Sequence, residues 1–395
     1  MPNRGKFIGG QDNLYVPDAP TIGTATAGNA EVSVAFTAPS DVGNDDITAY
    51  GASATDGTNV IGATGSSSPV TVTGLTNGTS YTARVWAIND YGNGPLSAAT
   101  ASFSPAAPLG IWSGGDADSL SNVIDYVVIA STGTAQDFGD QTRASAQGSS
   151  VSSSTRGVIY IGGDTAIDRT DEIDKITIAS TGNATDFGNI SHNRSATAGA
   201  SNDTRGLFMG GTDGSADETV DYVTIASDGN ASNFGDLSQA RSGPANGTSS
   251  SLTRAVCAGG YPSSGLSNVI DYRAIASTGN FSDFGDLTVS GGLFASCSSA
   301  TRIVFAGINE GDTMCFITTA STGNASDFGD LLAADVMGKT GVSSKTIGLI
   351  GGGSGINNID KITIASAANA TDFGDLTLAR RFCNGGVSNT HGGLA

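Results

Sequence analysis

Ile173-Asp174-Lys175-Ile176-Thr177-Ile178-Ala179-Ser180-Thr181-Gly182-Asn183-Ala184-Thr185-Asp186-Phe187-Gly188 is one of six variants of a single phrase. Its phenylalanine recurs as Phe138, Phe187, Phe234, Phe284, Phe328 and Phe373, at gaps of 49, 47, 50, 44 and 45 residues. A second marker keeps the same phase: Ile124-Asp125, Ile173-Asp174, Val220-Asp221, Ile270-Asp271 and Ile359-Asp360, with Met314-Cys315 as the degenerate fifth copy. A third is the glycine doublet after an apolar run, as in Val158-Ile159-Tyr160-Ile161-Gly162-Gly163. Self-similarity at a fixed period marks a repeat architecture.

Each repeat reads as four short strands. The apolar run predicts a strand buried on both faces, and the Ile-Asp stretch predicts a second. Ser-Thr-Gly-Asn supplies a turn. A third strand surrounds Asp-Phe-Gly. The fourth lies in the small, polar stretch before Thr155-Arg156, Thr204-Arg205, Thr253-Arg254 and Thr301-Arg302. Four strands per repeat of this length is the size of a propeller blade. The expected fold is therefore all-β, with a six-bladed β-propeller over residues 110–395. The chain's last residues fall in phase with the start of another glycine-doublet strand. Ile111-Trp112-Ser113-Gly114-Gly115 fills that slot, so strands from both ends of the repeat region are expected to complete one blade. Closure removes edge strands that would otherwise pair with other chains.

The glycine doublet after an apolar strand resembles kelch repeats, as do Arg143, Arg194, Arg241 and Arg380 in their units. The kelch tryptophan is absent, and the phenylalanine of Asp-Phe-Gly stands in its place. A kelch-like propeller is what this resemblance implies.

Before the repeats, Val32, Val34 and Phe36 alternate as one face of a strand. Leu75…Gly78-Thr79-Ser80-Tyr81 resembles the signature of fibronectin type III domains. That resemblance implies a β-sandwich over residues 19–105, with Tyr81 as its corner tyrosine and Phe36 in place of the usual tryptophan. Residues 1–18 form an N-terminal segment. There, Asn3-Arg4-Gly5-Lys6-Phe7-Ile8-Gly9-Gly10 is similar to a repeat strand. Two placements fit it: an extra propeller strand, or a strand docking on a neighbour.

Composition narrows the function. The formal net charge of −19 argues against nucleic-acid partners, which demand a basic surface. No apolar run is long enough to span a membrane, and the first residues lack the apolar core of a signal peptide. Cys257, Cys297, Cys315 and Cys383 form no CxxC pair and read as buried free thiols. Asn183, Asn230, Asn280, Asn324 and Asn369 each open an Asn-x-Ser/Thr triplet at one repeat position, where asparagine suits a positive-φ turn. Arg156, Arg205, Arg254 and Arg302 are expected either to bond an aspartate or carbonyl of a neighbouring repeat or to sit solvated in turns.

Catalysis is poorly supplied. His192 lies in a Ser-His-Asn-Arg turn, and His391 at a frayed C-terminus. A kelch-type copper oxidase would need paired histidines and tyrosines with a cysteine, and no such grouping is visible. The expectation is a non-enzyme with no catalytic residue, cofactor or metal, and no assigned binding residue. Asp164 to Glu172 and Thr212 to Glu218, where the repeats differ most, are the expected contact loops.

Ala19 to Gly28 and the repeat phrase Ile-Ala-Ser-Thr-Gly-Asn-Ala-Thr-Asp-Phe-Gly resemble virion proteins of bacteriophages, notably tail-fibre or adhesin proteins of marine phages. The resemblance implies attachment to a host-surface glycan from a virion, with other virion proteins as partners. Alternatives are a capsid-decoration or tail-adaptor protein, and a kelch-type carbohydrate-active enzyme. No heptad segment is present, so a homo-oligomer would form through domain faces.

Overall fold

The computed structural model describes residues 15–164, 168–334 and 337–394. The chain divides between Ala107 and Pro108 into two units. The placement of Lys6-Phe7-Ile8 lies outside the described residues.

The first unit is a sandwich of two antiparallel sheets. One holds Thr21–Ala27, Glu31–Thr37 and Val70–Thr73; the other holds Val60–Gly65, Ala49–Thr55, Thr82–Asn89 and Gly92–Asn93. Val32, Val34 and Phe36 point inward, as their alternation requires, and meet Ala52, Ala54 and Val85 from the facing sheet. The Tyr81 hydroxyl accepts the Thr76 N–H at 3.1 Å and so ties down the preceding turn.

Among the described residues, the second unit contains six main sheets, one per repeat and antiparallel but for one pair, together with the two-stranded pair Gly163–Asp164 and Asp168–Arg169. In the second sheet the order is Ser149–Ser152, Arg156–Tyr160, Glu172–Thr177, Thr185–Asn189. The polar strand pairs with the apolar strand that follows it, Ser150 opposite Ile159. It is therefore the first strand of its own sheet and not the last strand of the preceding repeat, which shifts the predicted boundary. The turn Ser153–Arg156 is short enough to bring the two strands together as a hairpin. In the fourth sheet only three strands are regular. There Asn246–Gly247 pairs in parallel with Ala295–Ser298 of the fifth, a close approach that Gly247 at φ 136° permits, since a Cβ there would lie 2.4 Å from Ser296 O. The first sheet is completed from afar: Gly386–Ser388 pairs with Leu109–Ser113, Gly386 opposite Trp112.

Successive sheets are joined by repeated backbone bonds. Gly182 N–H donates to Phe138 O at 2.7 Å, Gly229 to Phe187 at 2.8 Å, Gly279 to Phe234 at 2.7 Å and Gly323 to Phe284 at 2.7 Å. Ala370 donates to Asp330 O at 2.8 Å, and Gly133 to Phe373 O at 3.0 Å, which links the sixth sheet to the first. The glycine of Asp-Phe-Gly permits this approach. A Cβ on Gly139 would lie 2.5 Å from the Gly182 carbonyl carbon. The five asparagines of the Asn-x-Ser/Thr triplets belong to the same joint. The Asn183 side chain accepts the Asp140 N–H at 3.1 Å, and Asn230, Asn280, Asn324 and Asn369 do the same at their own joints. The positive φ expected of these asparagines belongs to the glycine before four of them, as at Gly182. Arg156, Arg205, Arg254 and Arg302 also reach across, donating to the carbonyls of Ile225, Ile275, Thr319 and Ile364 in the following sheet.

The aspartate of the Ile-Asp marker is buried and answered by a cation from the preceding repeat. Arg194 meets Asp221 at 3.0 Å, Arg380 meets Asp125 at 2.9 Å, Lys339 meets Asp360 at 3.4 Å, and Arg241 pairs with Asp271. A buried charge without its partner is costly. In the fifth sheet both members are gone together: Cys315 replaces the aspartate, and Gly291 occupies the arginine position. Arg143, grouped with Arg194, Arg241 and Arg380 by sequence, does not belong with them. It is 40% exposed and faces Glu172, because it precedes the buried position, held by Ser145, by two residues.

Asp174 thus keeps its carboxylate with no matching arginine. Thr142 donates to it through N–H and hydroxyl. Burial nonetheless raises its pKa, with the Glu172 and Asp186 charges adding to the effect and the Thr142 bonds opposing it. The folded state therefore favours the protonated form. The contribution of Asp174 to stability is most favourable at low pH and falls as pH rises from the range where the unfolded residue ionises through that where the folded one does. Asp174→Asn is expected to stabilise the protein by about 1 kcal/mol at pH 7, a gain that vanishes in acid. Urea titrations of both proteins at neutral and acid pH measure it, and an unchanged or lowered midpoint at pH 7 refutes it.

Candidate binding face

The loops that follow the glycine doublets share one end of the second unit. Four of them are hydrogen-bonded to the segment leading into the next polar strand: Gly115 to Ser145, Gly211 to Arg241, Gly260 to Gly291 and Gly353 to Arg380. At the centre of that end lie six residues with left-handed backbones: Gln147, Ala196, Gly243, Leu293, Gly338 and Phe382. Each N–H donates to the carbonyl of the one before it, at 2.6 to 3.1 Å, and Gln147 donates to Phe382 to return to the start. Four of the six carry a side chain, at about 1–2 kcal/mol of strain each for leaving the right-handed region. Such strain persists only where surrounding structure over-determines it, and here a cycle of hydrogen bonds does so.

Two large side chains stand on this ring. Phe382 lies over Gly338, where an added Cβ would come within 2.4 Å of its ring, and Leu293 lies over Gly243. The Arg381 guanidinium sits 4.9 Å from the Phe382 ring and holds Asp116 at 3.0 Å. Tyr261 flanks Leu293 beside Gly292. Aromatic and amide groups therefore gather at the ring and its margin.

The expected contact loops flank it. Thr212–Glu218 forms a tight hairpin, Thr212 opposite Ala216. Its Asp217 accepts from His192 Nε2 at 2.6 Å and lies 3.6 Å from Arg194. Burial works to raise the Asp217 pKa, but bonds from Thr219, the Arg194 charge and the bond from His192 outweigh it and leave the carboxyl below its usual range. Of the loop Asp164 to Glu172, residues 165–167 lie outside the described residues. Arg169 at its base accepts, through its carbonyl, the Asn193 side chain at 3.0 Å. His192, expected alone in a turn, is thus joined to the neighbouring loop. Ser191 Oγ, its other contact at 3.0 Å, donates to Asp221. That serine thus links His192 to the buried Asp221.

The opposite end of the six polar strands is closed by the tail. His391 is not frayed: it is 1% exposed, with Nε2 donating to Ser152 O at 3.3 Å and Nδ1 accepting the Gly393 N–H at 3.0 Å. Gly392 donates to Ser298 O at 3.1 Å. Only glycine fits beside it, since a Cβ on Gly393 would lie 2.0 Å from Ser201 O. All four cysteines are free and buried. Among the described residues, no three His, Cys, Asp or Glu side chains gather as a metal site, and no helix is long and apolar enough to cross a membrane.

The ring escapes a reading by residue type because its six members differ. The available signal is spacing: each lies nine residues after the phenylalanine of Asp-Phe-Gly, or ten in the fifth repeat.

The fibronectin type III family model matches residues 18–103, and this part of the chain is a fibronectin type III domain. No curated protein matches the chain.

Proposed function

We propose that the chain is a non-catalytic attachment protein of a bacteriophage virion. In this reading residues 110–395 form a closed, six-bladed, kelch-like propeller whose loop face meets a host-surface glycan. The observation that carries the proposal is the hydrogen-bonded ring surrounded by Phe382, Leu293, Tyr261 and the polar pair His192–Asp217. A rigid centre with variable loops around it is how scaffolds present binding surfaces. Closure is supported by joints of one kind between every neighbouring pair of sheets, the sixth and first included. The fibronectin type III domain acts here as a spacer.

Labelled full-length protein on an array of bacterial surface polysaccharides tests attachment, and immunogold labelling of intact particles tests the virion. Binding that weakens about ten-fold in the double variant Arg169→Ala/His192→Ala is the expected result, being the loss of roughly 1.4 kcal/mol of contacts. Absence of binding to every polysaccharide, or absence of label on particles, overturns the respective part.

A decoration or tail-adaptor role is the second reading. It is favoured by Val289, Leu332 and Leu378, which are 44%, 54% and 38% exposed at matching turns of the fourth, fifth and sixth sheets. Exposed apolar groups in one sector suit a protein partner. Gold on the capsid or tail tube, with no polysaccharide bound, is the outcome that selects it.

A further inference from the structure

The turn between the Ile-Asp strand and the Asp-Phe-Gly strand borders a groove in each of the first two sheets. In the second sheet it measures about 210 Å³ and is lined by Arg156, Lys175, Asn183 and turn residues. Both cations are already answered, since Arg156 meets Asp228 at 3.0 Å and Lys175 pairs with the same carboxylate. The matching groove of the first sheet measures about 200 Å³ and has a different chemistry. Tyr126, Ser131, Thr132, Thr134 and Gln136 line it, and no lining side chain is charged.

The first repeat departs from its sisters around this groove. Register places Leu109 opposite Val128 as it places Arg156 opposite Thr177, so Leu109 holds the arginine position. In the third, fourth and fifth sheets that arginine covers the ring at the Tyr126 position. Arg205 lies 4.4 Å from the Tyr222 ring, Arg254 5.0 Å from Tyr272 and Arg302 4.1 Å from Phe316. Tyr126 keeps the ring but has a leucine where those three have a guanidinium. Gln136 is a second departure, standing where the other repeats carry Thr185, Ser232, Ser282, Ser326 and Thr371. Thr134 is a third, in place of the asparagine of the joint. The three departures converge on one groove.

The Tyr126 hydroxyl donates to Gln136 Oε1 at 2.7 Å. That bond orients the amide, so its Nε2 is left to donate and the phenol oxygen to accept. A ring beside an oriented donor and acceptor, with the hydroxyls of Thr132 and Thr134 nearby, suits a ligand that has a C–H face and hydroxyls around its edge. An anionic ligand would find no cation here, in a protein of net charge −19. A cationic one would find the ring but no carboxylate, and no use for the amide donor. A space smaller than the usual ligand pocket limits the contact to a single ring.

We propose that this groove, at the edge strand of the first sheet, binds one neutral pyranose ring of a glycan. The C–H face packs on Tyr126. The sugar hydroxyls accept from Gln136 Nε2 and donate to the Tyr126 oxygen and the two threonines. The groove shares no residue with the loop face and does not rest on the attachment reading.

Saturation-transfer NMR titrations of the full-length chain test it, with methyl glucoside, methyl galactoside, methyl mannoside, glucuronate and tetramethylammonium as probes. Saturable transfer to at least one methyl glycoside is expected. Leu109→Arg copies the cap of the third to fifth sheets, and Gln136→Ser copies three of its counterparts. Each should weaken binding about five-fold or more, the worth of one hydrogen bond or ring contact. Sister repeats already fold with these residues, so lost binding there is not lost folding. Arg169→Ala/His192→Ala should bind as wild type does. No transfer to any methyl glycoside, unchanged binding in either groove variant, or tighter binding of glucuronate or tetramethylammonium than of every methyl glycoside overturns the groove. Loss of transfer in Arg169→Ala/His192→Ala moves the sugar to the loop face and overturns it too. If the polysaccharide array is blank while glycoside binding follows the groove variants, attachment through the loop face fails and the groove stands.

Discussion

Arg241→Ala is expected to lower the free energy of unfolding by about 4 kcal/mol, because it strands Asp271 in the interior without its cation. Arg241 is wholly buried, and besides Asp271 it donates to the carbonyls of Gly259 at 3.1 Å and Val269 at 2.8 Å. The fifth sheet shows how the chain tolerates loss of such a pair: aspartate and arginine positions become Cys315 and Gly291 together. Copying that change as Arg241→Gly/Asp271→Cys removes both charges. It is expected to cost clearly less than Arg241→Ala alone, though the two carbonyls still lose their donor. Urea denaturation of the two single variants and the double variant measures the coupling. If the double variant is as unstable as the sum of the singles, charge compensation is not what holds this position.

The second large effect is a dependence on pH that runs through His391. Burial pushes its pKa down from 6.5 to about 4, while the bond to Ser152 O and the Asp203 charge act the other way. A depressed histidine contributes stability that is fully present above pH 6.5 and is lost as pH falls toward 4. The difference amounts to about 3 kcal/mol. Structure gives the cause in atoms. Nδ1 accepts the Gly393 N–H, and protonation there removes the acceptor. Hydrogen exchange at the amides of Gly392 and Leu394, which donate to Ser298 O and His391 O, should therefore accelerate between pH 6.5 and 4. His391→Asn keeps an acceptor but cannot gain a charge, so its protection should be flat over that window after correction for intrinsic exchange. A variant that loses protection as wild type does shows that the imidazole is not responsible.

Much of this was legible in the residues, and the limits have physical reasons. The order of the apolar, Ile-Asp and Asp-Phe-Gly strands followed from apolar runs and turn residues, because those patterns report burial directly. The polar strand, lacking such a pattern, was placed at the wrong end of its repeat. The reach of Arg156 and its counterparts to a neighbouring sheet was one of two readings, since an arginine stem spans either into solvent or onto a carbonyl. The buried pairs were not legible. Asp221 and Arg194 lie 27 residues apart in different repeats, and nothing local in either neighbourhood signals an absence of water. The ring was hidden for another reason. Its requirement falls on the backbone, and Leu293 and Phe382 meet it under strain where glycine would be the ordinary choice. His391 misled because nearness to a chain end predicts exposure, whereas two glycines beside it allow the segment into a space where no side chain fits.

The pairing of Gly386–Ser388 with Leu109–Ser113 also sets an order of events during synthesis. The first of the six sheets to emerge is the last to be finished, since its missing strand is made some 270 residues later. Until then Leu109–Ser113 presents an open edge next to a nascent chain full of strands of the same kind. Contacts so distant in sequence form slowly, and open edges recruit whatever strand is nearest. On a crowded polysome, the equivalent strand of a second copy competes for that place, and an interlocked dimer is the misassembly this architecture is most exposed to.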